Sequence, residues 1–227
     1  RDSWVSKYGE FLDYLRSTFG EEHPIGQSIL RGPVDAAAAL FGDEKLLYLF
    51  FDDPSLVREC LSVACDVFLA FVEIQKSRTP SFHGGSVIGQ YYIWTPGPCL
   101  RFQEDAMALL SPGLYEEFVL PLDRKIAGAA EFSLFHLHSS GLHLLDLLLS
   151  IDEIDIFQVS KDEGVELEKV LPTLLTIQNS ERCVMLKGKL TEKDLLVIKE
   201  QLDFSGLCIQ AVVESEREAE AVLGMFS

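Results

Sequence analysis

The chain has 227 residues, of which 48% are hydrophobic and 24% are charged, as is typical of a globular protein with a sizeable core. Its 36 acidic and 19 basic side chains give a net charge of -17 at pH 7, which repels phosphate backbones and anionic lipid and argues against nucleic acid or a membrane surface as partner. No apolar run reaches the roughly 20 residues that a membrane-spanning helix needs.

The first half of the chain alternates helical patterns with short β-forming segments. It begins RDSWVSKYGEF, without an initiator methionine or the pattern of a signal peptide, so we expect the natural start to be missing. Apolar residues at helical spacing predict a helix over 4–18, and residues 25–30 predict a strand that leads through a Gly-Pro turn into a short helix. The clearest helix covers 52–78, with Pro54 in its first turn. A segment rich in glycine and β-forming residues, 81–94, follows it.

The second half of the chain repeats a strand-then-helix unit four times. Each strand segment is followed directly by its helix: 131–141 and 142–151, 154–164 and 165–180, 182–190 and 191–202, 206–215 and 216–226. Strict alternation of this kind predicts parallel strands joined by crossover helices. With six or seven strands in all, we expect an α/β fold of the (β/α)8 TIM-barrel type, one domain over residues 1–227 that lacks its first strand or strands. A doubly wound open sheet is the structural alternative.

Five cysteines are widely spaced, and none belongs to a CxxC pair. This spacing indicates reduced, buried thiols of a cytoplasmic protein rather than a disulfide framework or an all-cysteine zinc site. The sequence also lacks the phosphate-loop pattern G-x-x-x-x-G-K-S/T and the serine nucleophile motif G-x-S-x-G. The polar residues at the strand ends are therefore the best candidates for chemistry.

Polar residues follow most of the predicted strands, and the carboxyl ends of the strands carry the active site of a (β/α)8 barrel. We expect the following residues to face one rim: Arg31, His83, Gln103, Glu104, Asp105, His136, His138, Gln158, Lys161, Lys187, Lys189 and Glu214. Because every parallel strand ends in polar residues, the whole set indicates a site more strongly than any one member. Tyr91 and Trp94, beside a Gly-Pro turn, suit either a flat apolar substrate or a hydrophobic lid.

Three of the five histidines lie within residues 136–143. Alternate residues of a strand point to the same side, so His136 and His138 can face one point together. Two imidazole nitrogens in this arrangement suit zinc, which binds them at about 2.0–2.1 Å, and Asp105 is the expected third ligand, with Glu104 and His83 as other candidate donors. Two alternatives stay open: the histidines bond backbone and an anionic substrate, and Asp105 caps a local turn.

Three segments carry a resemblance to a known family. Residues 28–75, SILRGPVDAAAALFGDEKLLYLFFDDPSLVRECLSVACDVFLAFVEIQ, contain a Gly-Pro turn and a DDP-initiated long helix. Residues 102–126 contain the block SPGLYEEFVLPLDRKI, and residues 135–159 begin FHLHSSG. These segments resemble, in the same order, blocks of the uroporphyrinogen decarboxylase superfamily. The resemblance runs from about Ile25 to the end of the chain, and the family's N-terminal arginine loop, which grips propionates, has no counterpart.

The resemblance implies a (β/α)8 barrel with one of two chemistries. One is decarboxylation of uroporphyrinogen; the other is methyl transfer between a corrinoid protein and a thiol or other acceptor, with zinc held by an H-x-C motif and a later cysteine. When His136 is matched to the family's histidine, His138 stands in place of the cysteine; when His138 is matched, Ser140 does. The thiolate is absent either way, and Cys208 does not lie in the last loop. The chain looks most similar to the decarboxylase-like relatives of unassigned activity.

The leading hypothesis is an enzyme of methyl transfer with a corrinoid protein as partner. His136, His138 and Asp105 are its expected catalytic residues and also its expected zinc ligands. The expected substrate contacts are Arg31, His83, Tyr91, Trp94, Gln103, Gln158 and Lys187.

Two alternatives and the assembly stay open. In the first alternative, the protein decarboxylates a tetrapyrrole whose carboxylates bind the available cations, Arg31, Arg101, Lys187 and Lys189. In the second, the protein binds a corrinoid or tetrapyrrole without turnover. A homodimer is one assembly that the sequence allows.

Overall fold

The computed structural model describes residues 2–20 and 22–226. The α-helices of these residues are α1 (Asp2–Phe19), α2 (Pro33–Phe41), α3 (Asp43–Asp52), α4 (Pro54–Arg78), α5 (Pro112–Phe118), α6 (Leu120–Ala127), α7 (Leu145–Leu149), α8 (Leu167–Asn179), α9 (Glu192–Gln201) and α10 (Glu216–Met225). The strands are β1 (Ser86–Ile88), β2 (Ile93–Thr95), β3 (Cys99–Gln103), β4 (Phe132–His138), β5 (Ile156–Lys161), β6 (Cys183–Gly188) and β7 (Leu207–Ala211). Within the described ranges, none of the helices combines the length and the apolar character needed to cross a bilayer.

Helices α1, α2 and α3 pack around α4. This helix begins where Asp53 Oδ1 accepts a hydrogen bond from the Leu56 N–H at 3.0 Å, with Pro54 in the first turn. Its buried face, spaced by three or four residues, consists of Val57, Leu61, Cys65, Phe68 and Val72. Each large apolar side chain buried in this way stabilises the fold by about 1.5–3 kcal/mol. Helices α1, α2 and α3 all contact α4, and the predicted helices over 4–18 and 52–78 are confirmed.

Five strands form one parallel sheet in the chain order β3-β4-β5-β6-β7. On its outer face the fully buried rings of Phe102, Phe135 and Phe157 contact one another across the strands, with centroids 4.9 and 6.5 Å apart. The α/β class and the parallel strands predicted for the second half are therefore confirmed. A complete eight-stranded barrel is not present in residues 2–20 and 22–226, where the other sheet is the antiparallel pair β1-β2.

The predicted strand over 25–30 is extended backbone that does not join the sheet. Its place beside β3 is taken by a side chain: Gln27 Oε1 accepts from the Arg101 N–H at 2.6 Å, and Gln27 Nε2 donates to the Arg101 carbonyl oxygen at 3.1 Å. Gly26 lies so close to Gly89 that a Cβ at Gly26 would sit 2.9 Å from the Gly89 nitrogen. The strand prediction is wrong here because a side-chain amide, rather than backbone, satisfies the edge of β3.

The β1-β2 hairpin, formed by the β-forming segment 81–94, covers the inner face of the parallel sheet. Ile88 and Tyr91 from the hairpin pack on Leu134 and Met185 from the sheet. The larger hydrophobic core lies on the other face, between the sheet and the helices. Polar side chains replace the apolar ones toward the carboxyl ends of the strands, so the inner face ends in a polar rim.

Candidate metal-binding and catalytic site

The carboxyl ends of β3, β4 and β5 lie side by side and bring three polar side chains into one row. In the parallel register Gln103 pairs with His136, and His136 pairs with Gln158. Because residues two apart on a strand point to the same side, His138 follows His136 on the inner face. Asp105 lies two residues beyond Gln103, at the start of the 3-10 turn that follows β3. The carboxyl ends of consecutive strands therefore bring Gln103, Asp105, His136, His138 and Gln158 close together.

The two histidines face each other through the same ring atom. His136 Nε2 and His138 Nε2 lie 3.1 Å apart, and the ring centroids are 4.6 Å apart. His136 is buried, whereas the His138 side chain retains 38% of its exposure. The pair thus lies at the boundary between the covered inner face and solvent.

The outer nitrogen of each histidine has an acceptor. His138 Nδ1 lies 2.7 Å from Asp162 Oδ1, and the other oxygen of this carboxylate accepts from the Ser139 N–H at 2.9 Å. His136 Nδ1 contacts Gln158 Oε1, and the amide nitrogen of Gln158 donates to Ser160 Oγ at 3.2 Å. A carboxylate and an amide oxygen can only accept, so each Nδ1 carries a hydrogen. The two Nε2 atoms then face each other, and either a metal ion beside both or a hydrogen shared between them fits this arrangement.

Asp105 brings a carboxylate to the same place. Its Oδ1 lies 3.8 Å from His138 Nε2, and its Oδ2 accepts a hydrogen bond from Gln103 Nε2. Ligand atoms of Asp105, His136 and His138 all lie within 4.8 Å of one another. In a tetrahedral zinc site with bonds of about 2.0–2.1 Å, ligand atoms are roughly 3.3 Å apart. The two nitrogens already lie close to that spacing, and the half-exposed Asp105 carboxylate is slightly farther away, with Oδ1 3.8 Å from His138 Nε2.

Burial and nearby charge set the protonation of the site. Burial, followed by the positive charge of Arg101, lowers the pKa of His136 to about 4, so its ring is neutral near pH 7. Burial alone would raise the pKa of Asp162, yet the hydrogen bonds from His138 and Ser139 outweigh it and hold that pKa below its usual range. The site therefore combines a neutral buried imidazole with a charged carboxylate behind its partner.

Two cations, Arg101 and Lys187, lie near His136 on the inner face of the sheet. The Tyr91 hydroxyl is 3.1 Å from His136 Nδ1 and accepts from Arg101 Nη2 at 3.4 Å. Arg101 and Lys187 both lie over the Tyr91 ring, at 5.8 and 5.4 Å from its centroid. Of the expected substrate contacts, the structure thus gathers Tyr91, Gln103, Gln158 and Lys187 around the histidine pair, with Gln158 acting as an orienting partner of His136.

Other residues expected at the rim lie elsewhere. His83 is exposed in the turn before β1, where its ring packs on Phe82, and Trp94 Nε1 donates to the Phe82 carbonyl oxygen at 2.9 Å. The adjacent Gly84 and Gly85 line a cavity with Cys99, at the amino end of β3, which places this turn at the end of the sheet opposite the histidine pair.

Arg31 is exposed before α2 and shares a groove with Asp105, so it lies near the rim without contacting the histidines. Lys189 forms an exposed ion pair with Glu214 at 2.5 Å, and Lys161 donates to the Lys189 carbonyl oxygen at 3.1 Å. At the outer edge of the rim, Lys189 is therefore paired with Glu214, and Lys161 is bonded to the backbone of Lys189.

Glu104, considered as a further metal donor, points away from the site. Its Oε2 accepts from the Val34 and Asp35 N–H groups at 2.9 and 3.2 Å, which fixes the first turn of α2. Burial, with the charges of Asp123 and Asp35, raises the pKa of Glu104 well above its usual range. Because neighbouring strand residues face opposite sides, Glu104 joins this buried acidic group while Asp105 returns to the rim.

Two important residues were not predicted as site residues. Asp162, which holds His138, is two residues beyond Ser160 and four beyond Gln158, so the alternation of strand side chains could have identified it. Arg101 was considered only as a tetrapyrrole contact. It lies two residues before Gln103 on the same face of β3, and the same alternation places it below the rim.

Comparison with known proteins adds one structural neighbour. The sequence matches no protein-family model and no curated protein. A methyltransferase from Methanosarcina mazei has a similar structure, with a TM-score of 0.64 and 12% sequence identity, over 96% of this chain and 62% of that chain. The chain therefore spans less than two thirds of the length of that methyltransferase. The likeness supports the α/β fold.

Proposed function

We propose that the chain belongs to an enzyme of methyl transfer in which His136, His138 and Asp105 hold a zinc ion. The observation that carries the proposal is the pair of Nε2 atoms 3.1 Å apart, each with its Nδ1 hydrogen fixed by an acceptor behind it. Two neutral imidazoles that present lone pairs to each other at this distance repel, unless a metal ion lies beside both or a hydrogen is shared between them. The fold of the methyltransferase neighbour supports the reaction class at a coarse level.

The donor set fits zinc better than calcium or magnesium. Two imidazole nitrogens and one carboxylate oxygen form a three-ligand set of the kind found in catalytic zinc sites, which leaves a fourth position for a substrate. Calcium and magnesium favour oxygen ligands, and the orienting acceptors Asp162 and Gln158 are the usual companions of zinc-bound histidines. A zinc ion held here would act as a Lewis acid that favours the thiolate form of a thiol acceptor.

The residues of the chain have separate tasks in this proposal. Asp162 keeps the His138 ring in the tautomer that offers Nε2, and Gln158 does the same for His136. Asp105, the most exposed of the three ligands, borders the entrance. The proposed methyl donor is a corrinoid protein, and its support is the sequence resemblance to the uroporphyrinogen decarboxylase superfamily.

Metal analysis tests the central part of the proposal. Protein purified without a chelator should contain about one zinc per chain, and His136→Ala and His138→Ala should each lose most of it. His143→Gln is the matched control, because His143 Nε2 donates to the Leu110 carbonyl oxygen at 2.9 Å and lies outside the ligand set. A wild-type protein without stoichiometric metal, or equal zinc in all four proteins, would reject the zinc site.

An activity assay tests the reaction class separately. Zinc-loaded protein, mixed with methylcobalamin and a thiol, should convert the corrinoid to its demethylated form, which is visible by absorbance. Incubation with uroporphyrinogen, followed by analysis of its carboxyl groups, tests the decarboxylase alternative in parallel. Loss of carboxyl groups without methyl transfer would reject methyl transfer and favour the decarboxylase alternative.

A further inference from the structure

Arg101 is a buried cation whose hydrogens are largely unpaired. Its side chain is only 3% exposed, and neither Nε nor Nη1 has a hydrogen-bond partner among the described residues. The contact it makes is through Nη2, which donates to the Tyr91 hydroxyl at 3.4 Å. A buried guanidinium with no carboxylate beside it is costly, and arginine presents its hydrogens in a geometry that matches the two oxygens of a carboxylate.

Lys187 places a second cation at the same aromatic ring. Its Nζ is 5.4 Å from the centroid of Tyr91, and the Arg101 guanidinium is 5.8 Å from it. Among residues 2–20 and 22–226, no carboxylate forms an ion pair with either cation. The face of an aromatic ring compensates two positive charges only in part. In a chain of net charge -17, the buried Arg101 and the half-buried Lys187 therefore lie on the inner face of the sheet without an ion-pair partner among the described residues.

The tyrosine that covers these cations lies on a strained turn. Tyr91 ends the 3-10 turn between the three-residue strands β1 and β2, and Tyr92 follows it with a left-handed backbone of φ 57°. That conformation is unfavourable for a tyrosine, and the Tyr92 side chain is 86% exposed, so little packing holds it there. Movement of this turn would relieve the strain and withdraw the Tyr91 ring from the two cations.

We propose that Arg101 and Lys187 form a subsite for the carboxylate of a small organic acid, which binds in the place of the Tyr91 side chain. The position of the subsite relates it to the histidine pair, because the Tyr91 hydroxyl lies 3.1 Å from His136 Nδ1. A ligand bound there directs its carboxylate toward Arg101 and Lys187 and its other end toward the Nε2 atoms of the histidine pair. The identification of this acid as the substrate, the methyl acceptor, rests on the proposed function; the anion subsite itself does not.

The test measures carboxylate binding without metal or methyl transfer. 15N-labelled protein in EDTA is titrated with propionate and, at equal ionic strength, with the neutral isostere propionamide. The readout is the Arg101 Nε–H resonance, identified by its loss in Arg101→Lys. Propionate should shift this resonance saturably and propionamide should not, because only the anion neutralises the two cations.

Two lysine variants separate the subsite from general charge attraction. Lys187→Met should weaken propionate binding by roughly ten- to a hundredfold, the usual effect of a lost charge-assisted hydrogen bond. Lys189→Met removes the same charge two residues further along, from an exposed ion pair with Glu214, and should leave the affinity unchanged. Tyr91→Phe, which removes the hydroxyl that occupies Arg101 Nη2 and keeps most of the packing, should bind propionate more tightly.

The outcomes distinguish this inference from the proposed function. No saturable shift of the Arg101 resonance, equal binding of propionate and propionamide, or equal affinity in the two lysine variants would overturn the carboxylate subsite. None of these results depends on zinc content, which is measured separately. If the protein binds propionate in this way but binds no zinc, the carboxylate subsite is supported and the proposed zinc-dependent methyl transfer is rejected.

Discussion

Asp162 offers the sharpest single perturbation of the candidate site. Its carboxylate accepts two hydrogen bonds, from His138 Nδ1 at 2.7 Å and from the Ser139 N–H at 2.9 Å. In Asp162→Asn one of these donors must face the amide nitrogen, which is itself a donor. If the amide nitrogen faces His138, the ring exchanges tautomers and Nε2 carries the hydrogen, so it no longer offers a lone pair.

The expected effect is a loss of zinc affinity without loss of the fold. Removal of an acceptor behind a zinc-bound histidine weakens metal binding by about ten- to a hundredfold, which corresponds to about 1.4–2.8 kcal/mol of binding free energy. Thermal unfolding of the metal-free variant should stay cooperative, because the Asp162 side chain is one-third exposed and belongs to the rim rather than the core.

A competition titration against a zinc-binding dye measures this affinity. Asp152→Asn is the matched control, since the Asp152 side chain is 93% exposed and pairs with Arg182 far from the histidines. Asp162→Ala removes both acceptor oxygens, so wild-type zinc affinity in both Asp162 variants, with the control also unchanged, would refute the role of Asp162 in fixing the His138 tautomer.

Three further predictions concern the rim and the buried acids beside it. Asp105→Ala should lower zinc affinity more than Asp105→Asn, which keeps one oxygen donor, and equal affinities in the same dye titration would remove Asp105 from the ligand set. Burial raises the pKa of Asp123 to about 7, so between pH 4 and 7 the unfolded carboxyl group releases its proton while the folded one keeps it. Over that range Asp123→Asn should therefore gain up to about 4 kcal/mol of unfolding free energy relative to the wild type, and urea denaturation with no such pH-dependent difference would contradict the raised pKa. Gly32→Ala should lower the unfolding free energy by about 1–3 kcal/mol, because a Cβ there collides with the Glu104 carboxylate that fixes α2 and with the backbone carbonyl oxygen of Gln103; an unchanged urea midpoint would show that this close packing is not needed for stability.

The regular second half of the sequence predicted its structure well. Four strand-then-helix units alternate there, and each strand buries its outer face against helices, so periodicity and parallel topology follow from the apolar pattern. The segment over 25–30 has the same apolar character, yet it fails as a strand because Gln27 bonds both backbone groups of Arg101. A hydrogen bond between a side-chain amide and a distant backbone group does not change the apolar periodicity of the sequence, so periodicity could not predict it.

Part of the candidate site likewise follows from the sequence pattern, and part of it does not. The pairing of His136 with His138, and its proximity to Asp105, follow from strand alternation and from the shared edge of parallel strands. The position of His83 does not, because the sequence does not reveal that its segment folds back as an antiparallel hairpin. The contact of Arg101 with Tyr91 is equally hidden, since it depends on the hairpin covering the inner face of the sheet.

X-ray absorption at the zinc edge of the zinc-loaded protein measures the ligands of the proposed metal centre. We expect a first shell of nitrogen and oxygen at about 2.0–2.2 Å, with the outer-shell scattering of two imidazole rings and no sulfur at about 2.3 Å. In His138→Ala the imidazole contribution should fall to one ring. A sulfur scatterer in the first shell, or a spectrum that His138→Ala leaves unchanged, would contradict a metal centre built from His136, His138 and Asp105.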